Sequence, residues 1–304
     1  IAGDVTTQTG GQVNTAGLFP EARCALMKNL VVASEAIAAR ELTRKRLNRD
    51  YDRLYRNVYV PKGFEPTARE IVHGAWLATG RTATMAGLSA AFLHGSRWID
   101  DDIVPEILAS HTRAPQGIKA YRGDVPADEV CRRRGIQCTT VARTAFDLGR
   151  RLEDDGGIIQ VDALLNATRT PLSAVIAMAQ RHAGERNLRR LWAVIDLADE
   201  GAESKQETMV RLILVRAGLP RPQTQHWVGD RRIDMAWPEW KVGVEYDGAQ
   251  HWTDKFTHGD DVARREFFAE RGWRLVHVVH AHLRHPPGIV ARAENALLAA
   301  GWRP

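Results

Sequence analysis

The feature that most constrains the fold is the stretch Arg232-Ile-Asp234-Met-Ala-Trp-Pro238-Glu-Trp-Lys241-Val-Gly-Val-Glu245-Tyr-Asp247-Gly248. Two β-prone runs flank a turn at Pro238, so the chain is expected to double back as a β-hairpin with acids on both strands. Side chains alternate along a strand, which puts Glu245 and Asp247 on one face with Lys241 and Gly243, and Val242, Val244 and Tyr246 on the other. Two carboxylates held so close cost several kcal/mol unless a cation neutralises them. A bound metal is therefore one expectation, and acids decorating a solvent-exposed edge strand is the other.

The surrounding text extends the pattern. Upstream, Glu203 to Leu214 reads as an amphipathic helix with Met209, Leu212 and Ile213 toward the core. Ser204 is a fair N-cap and Glu207, three residues on, completes a capping box, a purely structural use of that acid. Downstream, Asp261-x-x-Arg264 and Phe267-Phe268 begin another helix that Gly272 stops, and Trp273 to Val279 makes a further strand. The expected order is helix, hairpin, helix, strand. Trp237, Trp240 and Trp252 beside the acids suit either core packing or stacking on an unpaired base.

These residues carry a resemblance. Glu207, then Asp234, then Glu245-x-Asp247-Gly248-x-x-His251, then Asp261-x-x-Arg264 and Gly272, resemble an endonuclease-like family related to the very-short-patch-repair enzymes of the PD-(D/E)XK superfamily. The resemblance covers about 203–283. It implies a restriction-endonuclease-like α/β domain with a central mixed sheet and a metal set of Glu207, Asp234 and Glu245 for Mg²⁺, with Mn²⁺ as a substitute. It also implies catalytic roles for Asp234, Glu245, Asp247 and His251, the last near the attacking water. The chemistry is coherent: carboxylate-held Mg²⁺ polarises a phosphoryl oxygen and lowers the pKa of a water, and a neutral imidazole takes a proton near pH 7. One departure stands out. The superfamily pattern has lysine two residues after the second-strand acid, where this chain has Asp247, so either His251, Arg264 or Lys241 supplies the missing cation or the site is catalytically weak.

The N-terminal half reads differently. Residues 1–30 lack hydrophobic periodicity and are expected to be a disordered extension, with Met27 a candidate translation start. Over 31–68 a short helix, a turn capped by Thr43, the basic helix Arg44-Lys45-Arg46-Leu-Asn-Arg49 and the strand Val58-Tyr-Val60 outline a winged-helix-like module. Arg44, Lys45, Arg46 and Arg49, with Arg53 and Arg56, could meet phosphates or simply form a solvated face. The region 69–198 mixes strands and amphipathic helices as an α+β middle domain, and Asp199 to Ala202 reads as a linker to a last domain over 199–304. Arg143 and Asp147, four apart on a helix, suit a structural ion pair. Leu42-Thr43, Tyr55 to Tyr59, and Gly135 through Arg143 to Leu148 resemble the AbiEi family of antitoxins and transcriptional regulators over about 31–167. That resemblance implies double-stranded DNA as a partner through the winged helix, and a cognate toxin if the antitoxin role holds.

Composition adds bounds. The 304 residues, 44% hydrophobic and 26% charged, suit an α+β multidomain protein with real cores, and a formal charge of +5 permits a polyanionic partner without demanding one. Cys24, Cys131 and Cys138 show no Cys-x-x-Cys zinc spacing, and no apolar run is long enough for a membrane span, so a cytoplasmic protein with no membrane partner is expected. Two functions follow: a metal-dependent DNA endonuclease, or a DNA-binding regulator whose nuclease-like domain is inactive. An RNA-directed hydrolase is a third class without a feature that reads a 2′-hydroxyl.

Overall fold

The computed structural model describes residues 29–109, 115–123, 125–248 and 257–304, and of residues 257–262 the backbone alone. The protein is mixed α and β, with three sheets of three, five and four strands. None of the helices among the described residues is long and apolar enough to cross a membrane. The segment 1–28, with Met27 and Cys24, lies outside the described residues, as does His251.

The first sheet, in the order β1-β3-β2, joins β1 (Val31–Val32), β2 (Tyr51–Tyr55) and β3 (Val58–Pro61), with α1 (Ala33–Ala38) and α2 (Arg44–Asp50) inserted after β1. As expected, the Thr43 side chain accepts from the Arg46 N–H and starts α2. The β2–β3 turn needs a left-handed residue, supplied by Asn57 at φ 66°. Its amide oxygen also accepts from the Ser34 N–H at 2.9 Å, tying the hairpin to α1.

The five-stranded sheet runs β6-β5-β4-β8-β7, built from β4 (Thr84–Ala86), β5 (Glu106–Leu108), β6 (Lys119–Tyr121), β7 (Val130–Arg133) and β8 (Ile136–Thr139), with α3 (Ala68–Ala78) and α4 (Gly87–Leu93) packed beside it. Tyr55 and Val58 of the first sheet share one core with Val72, Met85, Ile107 and Cys138. Four helices follow, α5 (Val141–Arg151), α6 (Gly156–Thr168), α7 (Leu172–Arg181) and α8 (Leu188–Leu197), around Phe146, Leu164 and Leu191. Arg143 donates to Asp147 at 3.0 Å and to Glu129 at 2.6 Å inside this core, the structural ion pair the spacing suggested.

The C-terminal sheet runs β12-β11-β10-β9, from β9 (Gln223–Val228), β10 (Arg231–Trp237), β11 (Val242–Asp247) and β12 (Arg274–Val279), with α9 (Lys205–Arg216), α10 (Thr257–Glu270) and α11 (Pro286–Ala299). Strands β9, β10 and β11 are antiparallel in turn, while β12 returns through α10 to lie parallel to β11. One face packs Met235, Trp237, Val242, Val244 and Val278 against α9 and α11, and Ile233 and Ala236 pack with Phe268 of α10. Gly243 is required by this packing, because a Cβ there would stand 2.7 Å from Ile233 and 2.8 Å from Leu275.

Three details differ from the sequence expectation. Strand β9 extends the hairpin to three strands; its polar text, Gln-Thr-Gln-His-Trp-Val, gives little apolar alternation to read. Lys241 is not on the acid face: at φ 49° it belongs to the turn before β11, and its Nζ donates to the Arg271 carbonyl at 3.2 Å. Asp199 to Ala202 is firmly anchored rather than a loose linker. The Asp199 N–H donates to Asp162 at 2.7 Å, the Asp199 carboxylate accepts from Thr224, and Ala202 is buried. Arg211 of α9, also buried, pairs with Asp162 of α6 at 2.7 Å and so locks the last sheet onto the helical layer.

Candidate metal and catalytic site

Acids from three neighbouring elements face this region, Glu207 from α9, Asp234 from β10 and Glu245 and Asp247 from β11, but among the described residues here the set whose ligand atoms all lie within 4.8 Å of one another is Glu245, Asp247 and His277, not Glu207, Asp234 and Glu245. Ser204 caps α9 by accepting from the Glu207 N–H at 3.1 Å, but Glu207 does not complete the box on the N-cap residue. Its Oε2 accepts instead from the Glu203 N–H at 2.9 Å and from Gln225 Nε2 at 2.8 Å. The capping role is thus partial, and the carboxylate sits close enough to β10 to act on Asp234. Burial raises the Glu207 pKa, and the charge of Glu203 adds to that.

Asp234 lies one residue before the paired run of β10 and accepts from the Tyr246 N–H of β11 at 2.9 Å. Burial pushes its carboxyl up to about 7, with the charges of Glu207 and Glu245 adding to the effect against the Tyr246 hydrogen bond and Arg264. The charges of two neighbouring acids thus bear on a half-buried Asp234, beside a Glu245 that is buried.

Glu245 is buried, at 4% exposure, and meets Arg264 of α10. The guanidinium holds both its oxygens, through Nη2 to Oε1 and through Nε to Oε2 at 3.3 Å, while Nη2 also donates to the Arg232 carbonyl at 2.5 Å. Burial works against the Arg264 charge, yet the Glu245 hydrogen bond and the Glu245, Asp234 and Asp247 charges outweigh it and hold the pKa above its ordinary value. Of the three cations the sequence offered, Arg264 is the one at the acids; Lys241 faces away, and His251 lies outside the described residues.

The sequence reading missed two residues here. His277 of β12 sits opposite Glu245 in the parallel register, with Nδ1 3.2 Å from Asp247 Oδ2 and 3.8 Å from Glu245 Oε2. The Asp247 hydrogen bond raises its pKa, the charges of both acids acting in the same direction. Gln225 of β9, bonded to Glu207, is the second. Alternation along β12 would have put His277 on a face with Leu275, but only the β11–β12 register reveals that the face is the acidic one.

The donor set suits a hard divalent cation. Glu207, Asp234 and Glu245 offer oxygens alone, as Mg²⁺ prefers, and the raised Glu207 and Asp234 carboxyls are groups that a positive ion would relieve, but their oxygens do not all lie within 4.8 Å of one another, so an ion would have to draw them together. Around this cluster, Arg232 pairs with Glu203 at 2.7 Å and lies 5.6 Å from the ring centre of Trp227, which is 62% exposed on the edge strand β9. Trp237 is core, its Nε1 donating to the Pro220 carbonyl at 2.7 Å. The basic helix α2 belongs to the first sheet. Arg44, Lys45, Arg46 and Arg49 are all exposed there, and Asp50 pairs with two of them, with Arg49 at 2.7 and 2.8 Å and with Arg46 at 3.6 Å.

Comparison with known proteins gives relatives without a described activity. The uncharacterized proteins MT2308 and Rv2248 of Mycobacterium tuberculosis, from strains CDC 1551 / Oshkosh and ATCC 25618 / H37Rv, are each 28% identical over 162 residues, 52% of this chain and 60% of their own length. No family model matches the chain, and no solved structure matches it.

Proposed function

We propose that the C-terminal unit is a metal-dependent DNA endonuclease and that α1, α2 and the β2–β3 hairpin act as a winged-helix-like module that holds the duplex. The observation that carries the reading is the setting of Asp234, half-buried on β10, bonded to the Tyr246 N–H of β11 at 2.9 Å and acted on by the charges of Glu207 and Glu245. Partly buried carboxylates that oppose one another are costly to fold, and an arrangement of this kind serves a site that takes up a cation. Helix α9, the antiparallel strands carrying the acids and the parallel return through α10 are compatible with a restriction-endonuclease-like domain.

In this reading Glu207, Asp234 and Glu245 hold Mg²⁺ or Mn²⁺, which supplies Lewis-acid polarisation of a phosphoryl oxygen and a more acidic water. Arg264, anchored on Glu245 and on the Arg232 carbonyl, is placed to stabilise charge developing on the phosphate, the task a lysine performs in the superfamily pattern. Asp247 holds the His277 ring in place beside the metal carboxylates, and His251 is the candidate proton acceptor. The exposed Arg44, Lys45 and Arg46 contribute sequence-independent phosphate contacts.

A second reading has one observation in its favour. Both β11 acids already have a protein partner, the Arg264 cation on Glu245 and the His277 ring on Asp247, which is how an inactive nuclease-like domain could persist in an AbiEi-like regulator or antitoxin with a toxin partner. Cleavage of labelled single- and double-stranded DNA and RNA in Mg²⁺ and Mn²⁺ separates the two. Metal-dependent cutting of duplex DNA, lost with chelator, supports the nuclease; salt-sensitive DNA binding without cutting supports the regulator.

A further inference from the structure

We propose that Glu245, Asp247 and His277 form a mixed nitrogen–oxygen metal position that makes the site select Mn²⁺ and similar transition metals over Mg²⁺. The proposal rests on the metal-dependent reading above and adds to it the class of ion and a ligand outside the Glu207, Asp234 and Glu245 set.

The geometry comes from strand register. Parallel pairing of Glu245 with His277, and of Asp247 with Val279, brings one imidazole beside two carboxylates on adjacent strands. A ligand atom from each of the three residues lies within 4.8 Å of the other two. Neighbouring donors around an ion with bonds of ~2.1 Å stand about 3.0 to 3.5 Å apart. His277 Nδ1 to Asp247 Oδ2, at 3.2 Å, already falls in that span, and Nδ1 to Glu245 Oε2, at 3.8 Å, reaches it by a small side-chain adjustment in which the ion takes Oε2 from the Arg264 Nε, 3.3 Å away. The ring is carried on a fixed backbone, because Arg292 of α11 donates to the His277 carbonyl at 3.0 Å.

Ligand chemistry then sets the preference. Mg²⁺ keeps oxygen ligands and gives up its waters reluctantly, whereas imidazole suits iron, nickel, copper and zinc ions, and Mn²⁺, at the start of that transition series, takes carboxylates as Mg²⁺ does but accepts a nitrogen ligand more readily. Glu245 is common to both groups of ligands, so the nitrogen-containing position adjoins the all-oxygen one.

The test uses the full chain, freed of metal with chelator, and follows Mn²⁺ binding by electron paramagnetic resonance. Wild-type protein should hold Mn²⁺ at least about tenfold more tightly than Mg²⁺, and bound Mn²⁺ should display coupling to a ¹⁴N nucleus. In His277→Gln protein the coupling disappears and Mn²⁺ affinity falls about tenfold or more, with Mg²⁺ affinity unchanged, whereas His251→Gln protein keeps the coupling. Absence of ¹⁴N coupling in wild-type protein, a measurement that needs no variant to fold, overturns the proposal, as does coupling that survives in His277→Gln. Nuclease activity is read separately. Nitrogen coupling without cleavage leaves the metal position standing and removes the endonuclease, while cleavage without nitrogen coupling does the reverse.

Discussion

Replacing Asp234 by asparagine tests the electrostatics of the site through stability alone. Asparagine keeps an oxygen to accept from the Tyr246 N–H, so the 2.9 Å link between β10 and β11 can survive. The carboxyl is raised from 3.8 to about 7 in the folded chain. A raised folded pKa means that the native state binds the extra proton, so its stabilising effect is fully present below about pH 4 and is lost as pH rises through about 7. A shift of that size corresponds to at most about 4 kcal/mol, and sharing of the titration with Glu207 reduces the expected figure to about 2 to 3 kcal/mol. At pH 8 without metal, Asp234→Asn protein should therefore unfold about 5–10 °C above wild type, converting at roughly 2–4 °C per kcal/mol. At pH 4 the two should agree. Adding Mn²⁺ at pH 8 should raise the midpoint of wild type and leave the variant nearly unmoved. Thermal unfolding followed by circular dichroism reads all three. A metal-free variant less stable than wild type at pH 8, or a metal-induced rise that survives the substitution, would refute the reasoning.

Other expected outcomes follow from the same structure. Arg264→Gln removes the cation held on buried Glu245 and should cost about 2–4 kcal/mol in metal-free urea unfolding; a cost below about 0.5 kcal/mol would mean the pair is idle. Asp162→Ala leaves Arg211 buried without its partner and should destabilise the chain by about 3–5 kcal/mol. Because burial raises Asp162 to about 6, its own titration should lower stability as pH rises from about 4 to 6, a slope absent in Asp162→Asn. Gly243→Ala drives a methyl into Ile233 and Leu275 and should cost about 1–3 kcal/mol by equilibrium unfolding, together with metal affinity. Alanine at Arg44, Lys45 and Arg46 together should weaken duplex binding and reduce the salt slope by about 0.9 for each phosphate no longer neutralised; an unchanged slope would leave α2 as a solvated face.

Much of the C-terminal site was legible because its information is local. Alternation put Glu245 and Asp247 on one side of a strand, Ser204 announced the start of α9, and Gly272 ended α10, each from a few neighbouring residues. What escaped was decided at longer range. Strand β9 is polar and is held in the sheet by pairing with β10, and His277 becomes a site residue only through the β11–β12 register. Lys241 was misplaced because alternation holds within a strand and not in the turn that feeds it, where φ is 49°. Asp199 to Ala202 looked like a linker because glycine and charge suggest solvent, yet the Asp199 N–H and carboxylate are both engaged.

The most direct measurement of the central claim is the conversion of closed circular duplex DNA to nicked and linear forms by the purified full chain. Wild-type protein in Mn²⁺ or Mg²⁺ is expected to cut, and chelator, Asp234→Asn or Glu245→Gln is each expected to reduce the rate at least about a hundredfold. Intact circles with wild-type protein in every metal tried, or cutting that persists in both variants, would contradict the assignment of these carboxylates to phosphodiester hydrolysis.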